Sequence, residues 1–334
     1  MTWSPGSWRA KPIRQHPLYA DPAALARVEK ELSRRPGLAS LDEILKLKKH
    51  LADVSAGEGF LLQGGDCGES FESPPETARK TCRILARTAE ILAREAGAVT
   101  AVTRLAGQYA KPRSKLFETQ EGLTLPNYRG DIVNGTGFSA RARAPDPMRM
   151  LAAYANAQQT LGVVRGEGEF FISHEALLLP FEQALLRKAE GICFSASAHM
   201  LWLGYRTRFS GEAHAEFLRG IANPLGVKVG PESLAEDLKA LLHLLNPKNE
   251  LGKVTLICRF GADAIAARLP VILRAVESGG FNVLWSCDPM HGNTRRNGEG
   301  LKVRHFADIL SETLGFVAIL RAEGVRPAGI HLEL

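Results

Sequence analysis

FLLQGGDCGESFESPPETARKTCRILARTAEILAREAGAVTAVTRLAGQ, residues 60–108, passes from a short apolar run into a Gly-Gly-Asp-Cys cluster, then through a long helical pattern into a second apolar run. That order is strand, polar loop, helix, strand, the repeating unit of a β/α architecture. The unit recurs to the end of the chain. Strands are expected at 60–63, 99–105, 169–172, 200–203, 225–229, 254–258, 282–285 and 329–332, and several read as buried on both faces. Helices are expected at 75–96, 146–161, 180–189, 231–245, 262–277 and 302–322, three of them opening at or beside proline. Eight strands with interposed helices match the roughly 250-residue size of a (β/α)8 TIM barrel; an open doubly wound sheet is the other arrangement this alternation allows.

Residues 1–56 read as an N-terminal arm with helices, and 57–334 as the catalytic barrel. Within the first part, 1–20 is extended and rich in Trp and Pro, while 21–35 and 41–56 have amphipathic helical spacing. An arm of this kind packs on its own barrel or on a neighbouring subunit more often than it carries chemistry.

Composition narrows the function classes. With 45% hydrophobic and 23% charged residues among 334, the chain can bury a full core without disulfides. Its five cysteines, Cys67, Cys82, Cys193, Cys258 and Cys287, are scattered and form no CxxC pair, which favours reduced thiols or a metal ligand. Neither a signal peptide nor an apolar run of the roughly 18 residues needed to span a bilayer is visible, so the expectation is a cytoplasmic protein that binds no membrane. A net charge of +6 from 42 cations and 36 anions is too diffuse for a nucleic-acid surface, but it suits small acidic substrates.

In a barrel, chemistry gathers where strands end. Here the ends carry Asp66-Cys67, then Arg104 with Lys111-Pro112-Arg113-Ser114, then His174-Glu175, Arg206, Lys228, Arg259, Asp288 with His291, and His331 with Glu333. Cys67, His291 and Glu333 fall on strands one, seven and eight, which become neighbours on closure. Thiolate, imidazole and carboxylate together suit a borderline transition metal. Taken alone, a cysteine in this setting is more often a small buried hydrophobe. Arg104, Lys111, Arg113, Arg206, Lys228 and Arg259 form a second, cationic set. Several cations converging at buried strand ends imply a ligand with phosphate and carboxylate groups. The competing reading makes some of them partners of Asp66, Asp131, Glu175 or Asp288. Lys111-Pro112-Arg113-Ser114 is the sharpest phosphate candidate, because proline stiffens a turn bearing two cations and a hydroxyl. A P-loop and a GxGxxG fingerprint are both absent, which weakens ATP- and NAD-dependent readings.

Eight strings, in order, resemble the type II 3-deoxy-D-arabino-heptulosonate 7-phosphate (DAHP) synthases. They are WSPGSWR (3–9), LQGGDCGESF (62–71), RLAGQYAKPRS (104–114), NYRGDIVNG (127–135), SHEALLLPFE (173–182), NPLGVKVGP (223–231), CDPMHGNT (287–294) and GIHLEL (329–334). The resemblance implies a (β/α)8 transferase that condenses phosphoenolpyruvate with erythrose 4-phosphate and releases phosphate, at the first step of the shikimate pathway. It implies Mn²⁺ or Co²⁺ held by Cys67, His291 and Glu333. Arg104, Arg206, Lys228 and Arg259 match phosphoenolpyruvate contacts, and Lys111 with Pro112, Arg113 and Ser114 match residues between the two substrates. Lys111 is the expected donor to the developing alkoxide and Glu175 a group that organises water. A homo-oligomer and a complex with chorismate mutase are expected partners.

There are departures from the family pattern. Where it reads Gly-Glu-Arg-Thr-Arg after strand four, this sequence has Gly204-Tyr205-Arg206-Thr207-Arg208, which places Tyr205 beside the substrate and opens the alternative of another aldehyde, such as an amino-sugar phosphate. The pattern also continues beyond the position of Leu334 through a last helix to a Cys-Asp-Pro segment whose aspartate is a fourth metal ligand. That ligand is not among these residues, which motivates a further alternative, a non-catalytic regulatory partner. The stretch 146–173 is short, as in the subgroup linked to secondary metabolism such as phenazine formation, and weak aromatic feedback inhibition is expected from it.

Overall fold

A computed structural model describes residues 2–298 and 300–334. Eight parallel strands close into a barrel: β1 (Phe60–Gly65), β2 (Val99–Thr103), β3 (Phe171–Glu175), β4 (Met200–Leu203), β5 (Leu225–Val229), β6 (Val254–Cys258), β7 (Leu284–Cys287) and β8 (Gly329–Glu333). Each strand pairs with its neighbour in sequence, and β8 returns to β1 with Gln63 opposite His331 and Gly65 opposite Glu333. This closure excludes the open sheet. Strands β3, β5 and β6 are buried along their whole length, as the continuous apolar runs require.

The helix Leu41–Ser55 opens with a capping box between Ser40 and Glu43 and buries Leu41, Ile44, Leu47, Leu51 and Val54 on one stripe. Its Leu47, Leu51 and Val54 pack with Leu61, Val102, Phe171, Met200 and Leu284 at the amino ends of the strands. The helix therefore plugs the bottom of the barrel and leaves the carboxyl end as the open mouth. The arm before it is held by Trp8, which is buried and donates from Nε1 to Gln183 Oε1 at 2.8 Å.

Several expected boundaries shift. Strands expected at 169–172 and 282–285 run instead over Phe171–Glu175 and Leu284–Cys287, which carries His174, Glu175 and Cys287 into the sheet. The strand expected at 99–105 stops at Thr103, and shortly beyond it Ala106 takes a left-handed φ of 61°. The helix expected at 180–189 covers Leu179–Ala184 and gives way to a hairpin, Leu186–Ala189 with Ile192–Ser195. Its turn residues Glu190 and Gly191 both have positive φ, as a tight two-residue hairpin turn needs. A second hairpin, Phe117–Gln120 with Leu123–Pro126, turns on the same Glu-Gly pair, Glu121 and Gly122. The helix Ala213–Leu218, after β4, was not foreseen. The helices expected at 231–245 and 302–322 begin later, at Ala235 and Phe306. Between the second hairpin and β3, one long helix, Arg149–Gly166, makes the crossing. Among the described residues, no helix is long and apolar enough to cross a membrane.

Candidate active site

The carboxyl mouth collects the side chains singled out by the sequence. Cys67 follows β1, His291 lies in the loop after β7, and Glu333 ends β8; one donor atom from each falls within 4.8 Å of the other two. His291 Nε2 is 3.8 Å from Glu333 Oε2, and the Arg304 guanidinium pairs with that same oxygen. Asp288, buried at the end of β7, accepts from His291 Nδ1 at 2.8 Å and so aims Nε2 into the cluster. A carboxylate behind a ligating imidazole is the usual way to fix its tautomer.

Burial and the nearby Glu333 charge raise the Cys67 thiol above its ordinary range, and burial lowers the His291 imidazole. Burial pushes the Glu333 carboxyl up, but His291, Cys67, Arg304 and Arg104 outweigh it, so it lies below the carboxylate range. A neutral thiol, a neutral imidazole and an anion facing one another form a donor set that fits a divalent transition metal, whose charge would favour the thiolate. Asp288, His291 and His331 also converge. Their geometry fits less well, because Asp288 is already engaged by His291 Nδ1 and by Lys228 Nζ at 2.6 Å.

His331 lies beneath the cluster. Its Nδ1 donates to Gln63 Oε1 at 2.7 Å, Gln63 Nε2 donates to Ser173 Oγ at 2.9 Å, and Ser173 Oγ donates to Thr103 O at 2.8 Å. This chain fixes the ring and leaves its buried Nε2 without a protein partner.

The cations divide into two groups. Arg104, Lys228 and Arg259 lie on the His291 side of the mouth. Arg104 is buried, stacks over Trp202 at 5.6 Å and keeps its Nε without a partner. Lys228, inside β5, is lowered to about 8 by burial, which the Asp288 charge partly offsets. It realises the structural-partner reading as well as the cationic one. Arg259 donates from Nη2 to His291 O at 2.6 Å and stacks over Tyr205 at 4.9 Å.

Lys111 and Arg113 form the other group, around the ring of Tyr128 at 5.9 and 5.6 Å. The Lys111 stem crosses directly over Gly68: a Cβ there would lie 2.0 Å from Lys111 Cε and would push the lysine stem off the loop that carries Cys67. Pro112 is partly buried, while Ser114 and Arg206 stand exposed to solvent.

A sequence profile described as the class-II DAHP synthetase family matches residues 3–168 and 166–334. The chain is 38% identical to the phospho-2-dehydro-3-deoxyheptonate aldolase of Neurospora crassa over 409 aligned positions, spanning 99% of this chain and 84% of the relative. It is also 38% identical to the enzyme of that name from Streptomyces coelicolor, spanning 98% of this chain and 86% of the relative. The chain belongs to the class-II DAHP synthetase family. A solved phospho-2-dehydro-3-deoxyheptonate aldolase from Francisella tularensis SCHU S4 shares the fold, with a TM-score of 0.58 at 12% identity over 92% of this chain and 83% of that one. The eight motif strings thus pointed to the right family.

Two buried carboxylates of the chain were not singled out by the sequence, although Glu69 lies within the string at 62–71. Glu69 accepts from the backbone N–H groups of Ala106, Gly107 and Gln108 at 2.9, 2.8 and 2.8 Å, tying the Cys67 loop to the turn after β2. Glu312, on the helix Phe306–Ala322, accepts from Phe260 N and Gly261 N at 2.7 and 2.8 Å and from Asn293 Nδ2 at 2.7 Å. Burial raises the first to about 6 and the second to about 7, although the amides they accept from work the other way.

Glu175, at the end of β3, is buried and raised to about 7 by burial, with Lys228, Arg206, Arg104 and His174 pulling it down. Its backbone N–H donates to Gln108 Oε1 at 2.9 Å, and its Oε1 has no hydrogen-bond partner. Tyr205 is a pillar in the wall: its hydroxyl accepts from Glu232 N at 2.8 Å and its ring lies against Arg208 and Arg259.

Proposed function

We propose that the chain is a 3-deoxy-7-phosphoheptulonate synthase that joins phosphoenolpyruvate to erythrose 4-phosphate with release of phosphate. Family membership supports the activity. The observation that carries the site assignment is the approach of Cys67, His291 and Glu333 to within 4.8 Å of one another beside Arg104, Lys228 and Arg259. Cys67, His291 and Glu333 would hold a divalent ion such as Mn²⁺ or Co²⁺, which would supply Lewis-acid polarisation of the aldehyde.

The chain's own residues do the rest. Arg104, Lys228, Arg206 and Arg259 hold the phosphate and carboxylate of phosphoenolpyruvate, the guanidinium groups as planar forks and Lys228 as a point charge. The Lys111-Pro112-Arg113-Ser114 turn holds the aldehyde partner so that its carbonyl carbon meets C3 of phosphoenolpyruvate. Lys111 donates a proton to the alkoxide that develops as the C–C bond forms. Ionised Glu175 takes a proton from the water that adds at C2, and phosphate then departs by C–O cleavage at that carbon. The same reading includes a homo-oligomer, a cytoplasmic location and association with a chorismate mutase.

Tyr205 favours testing the aldehyde directly. Product mass after incubation with phosphoenolpyruvate and an equimolar mixture of erythrose 4-phosphate and an amino-sugar phosphate should show the seven-carbon phosphorylated product. A product built only on the amino sugar would replace this assignment.

A further inference from the structure

The N-terminal arm makes a contact that the reaction scheme leaves unused. Its first residues are anchored on the barrel wall: Trp3 Nε1 donates to Glu216 O at 3.1 Å, Ser7 Oγ donates to Glu216 Oε1 at 2.6 Å, and Ala213 N donates to Pro12 O at 2.9 Å. Arg14 Nε then pairs with Glu212 Oε1 at 2.6 Å, and beyond the next residue Arg129 Nη1 donates to His16 O at 3.1 Å. Gln15, between these anchors, takes a left-handed φ of 57°, a conformation that residues with a side chain seldom adopt.

That conformation sends its carboxamide to the main chain of Arg113. Arg113 N donates to Gln15 Oε1 at 2.8 Å, and Gln15 Nε2 donates to Arg113 O at 3.0 Å. The flanking main-chain ties of this turn are Lys111 N to Arg129 O at 2.8 Å and Asn127 N to Leu116 O at 2.9 Å. Between them, among the described residues, the Gln15 carboxamide satisfies both main-chain polar groups of Arg113. It replaces the partner strand that a half-buried turn otherwise needs.

We infer that Gln15 is a positioning residue for the substrate turn, and that the arm is a strap holding Pro112 and Arg113 at the height where a phosphorylated aldehyde is bound. This rests on the proposed role of the Lys111–Ser114 turn. The effect belongs to binding of the aldehyde substrate, because Gln15 fixes the backbone from which Arg113 and its neighbours project.

The test uses the full chain with its metal and three variants: Gln15→Ala, Gln15→Gly and Arg113→Ala. Glycine relieves the positive φ while removing the carboxamide, so a loss caused by backbone strain and a loss caused by the missing hydrogen bonds separate. Both Gln15 variants should lose hydrogen-exchange protection at the Arg113 amide and raise KM for erythrose 4-phosphate about tenfold, with kcat and the KM for phosphoenolpyruvate unchanged. Gln15→Gly should keep the melting temperature. Arg113→Ala should raise the same KM. If Arg113→Ala does so and Gln15→Gly does not, the strap is wrong and the turn's role stands. If Arg113→Ala leaves KM at the wild-type value, the turn's role fails and takes the strap with it.

Discussion

Gly204 lacks a side chain where Glu175 needs the space: a Cβ at that position would lie 1.9 Å from Glu175 Oε1. Replacing Gly204 by alanine should therefore displace the carboxylate while leaving β4 intact. We expect kcat to fall by roughly ten- to a hundredfold with little change in melting temperature, since a shift near 1 Å in a reacting group has that scale of effect. Wild-type turnover in Gly204→Ala would remove Glu175 from the mechanism. Its protonation gives a second handle. With a folded value near 7, Glu175 is largely protonated at pH 6 and ionised at pH 8. As a base it should produce a rise in kcat through about pH 7, and the rise should vanish in Glu175→Gln. A limb that survives unchanged in that variant belongs to another group. At this scale the sequence singled out Cys67, His291, Glu333 and the cations as candidates, because polar residues at the ends of apolar runs stand out. Glu69, Glu312 and Gln15 were hidden, because their work is to meet backbone groups far away in sequence, which no local pattern records.

The elements of the mouth are held to one another by such contacts. Glu312 reaches from the helix Phe306–Ala322 to Phe260, Gly261 and Asn293, binding the loop after β6 to the loop after β7. Arg259 projects from the first of these loops and His291 from the second. Truncation in Glu312→Ala leaves two buried backbone donors and a side-chain amide unsatisfied, which should lower stability by roughly 2–3 kcal/mol. Urea unfolding measures it, and a change below about 0.5 kcal/mol would mean that water replaces the carboxylate. The strands were legible from their apolar runs, three of them to the residue: Met200–Leu203, Leu225–Val229 and Val254–Cys258. Boundaries moved where a turn competes with the periodic pattern. Both Glu-Gly hairpins carried a readable signal, a glycine in the second turn position between short β-forming runs, but the helical spacing of 180–189 masked one of them.

Over the whole molecule, one end of the barrel is sealed and the other is charged. The helix Leu41–Ser55 fills the bottom with Leu47, Leu51 and Val54, so reactants have the carboxyl mouth as their route to the strand ends. The strands converge there in the order that closure dictates, and this is why residues as distant as Cys67 and Glu333 meet. The strand count left a closed barrel and an open sheet both possible, and the resemblance of the motif strings favoured the barrel in which these residues converge. Which rotamers point inward was not readable, because it depends on packing around Trp202, Gln63 and Asp288. The alignments with the relatives run over 409 and 386 positions, more than the 334 residues of this chain, so the relatives carry segments that it lacks. Phosphate release from phosphoenolpyruvate and erythrose 4-phosphate, followed with and without added Mn²⁺ or Co²⁺ in the wild type and in Cys67→Ala, goes straight to the convergence of thiol, imidazole and carboxylate. The wild type should release phosphate only with metal, and Cys67→Ala should lose both release and stoichiometric metal binding; metal-independent release, or full metal binding by Cys67→Ala, would contradict it.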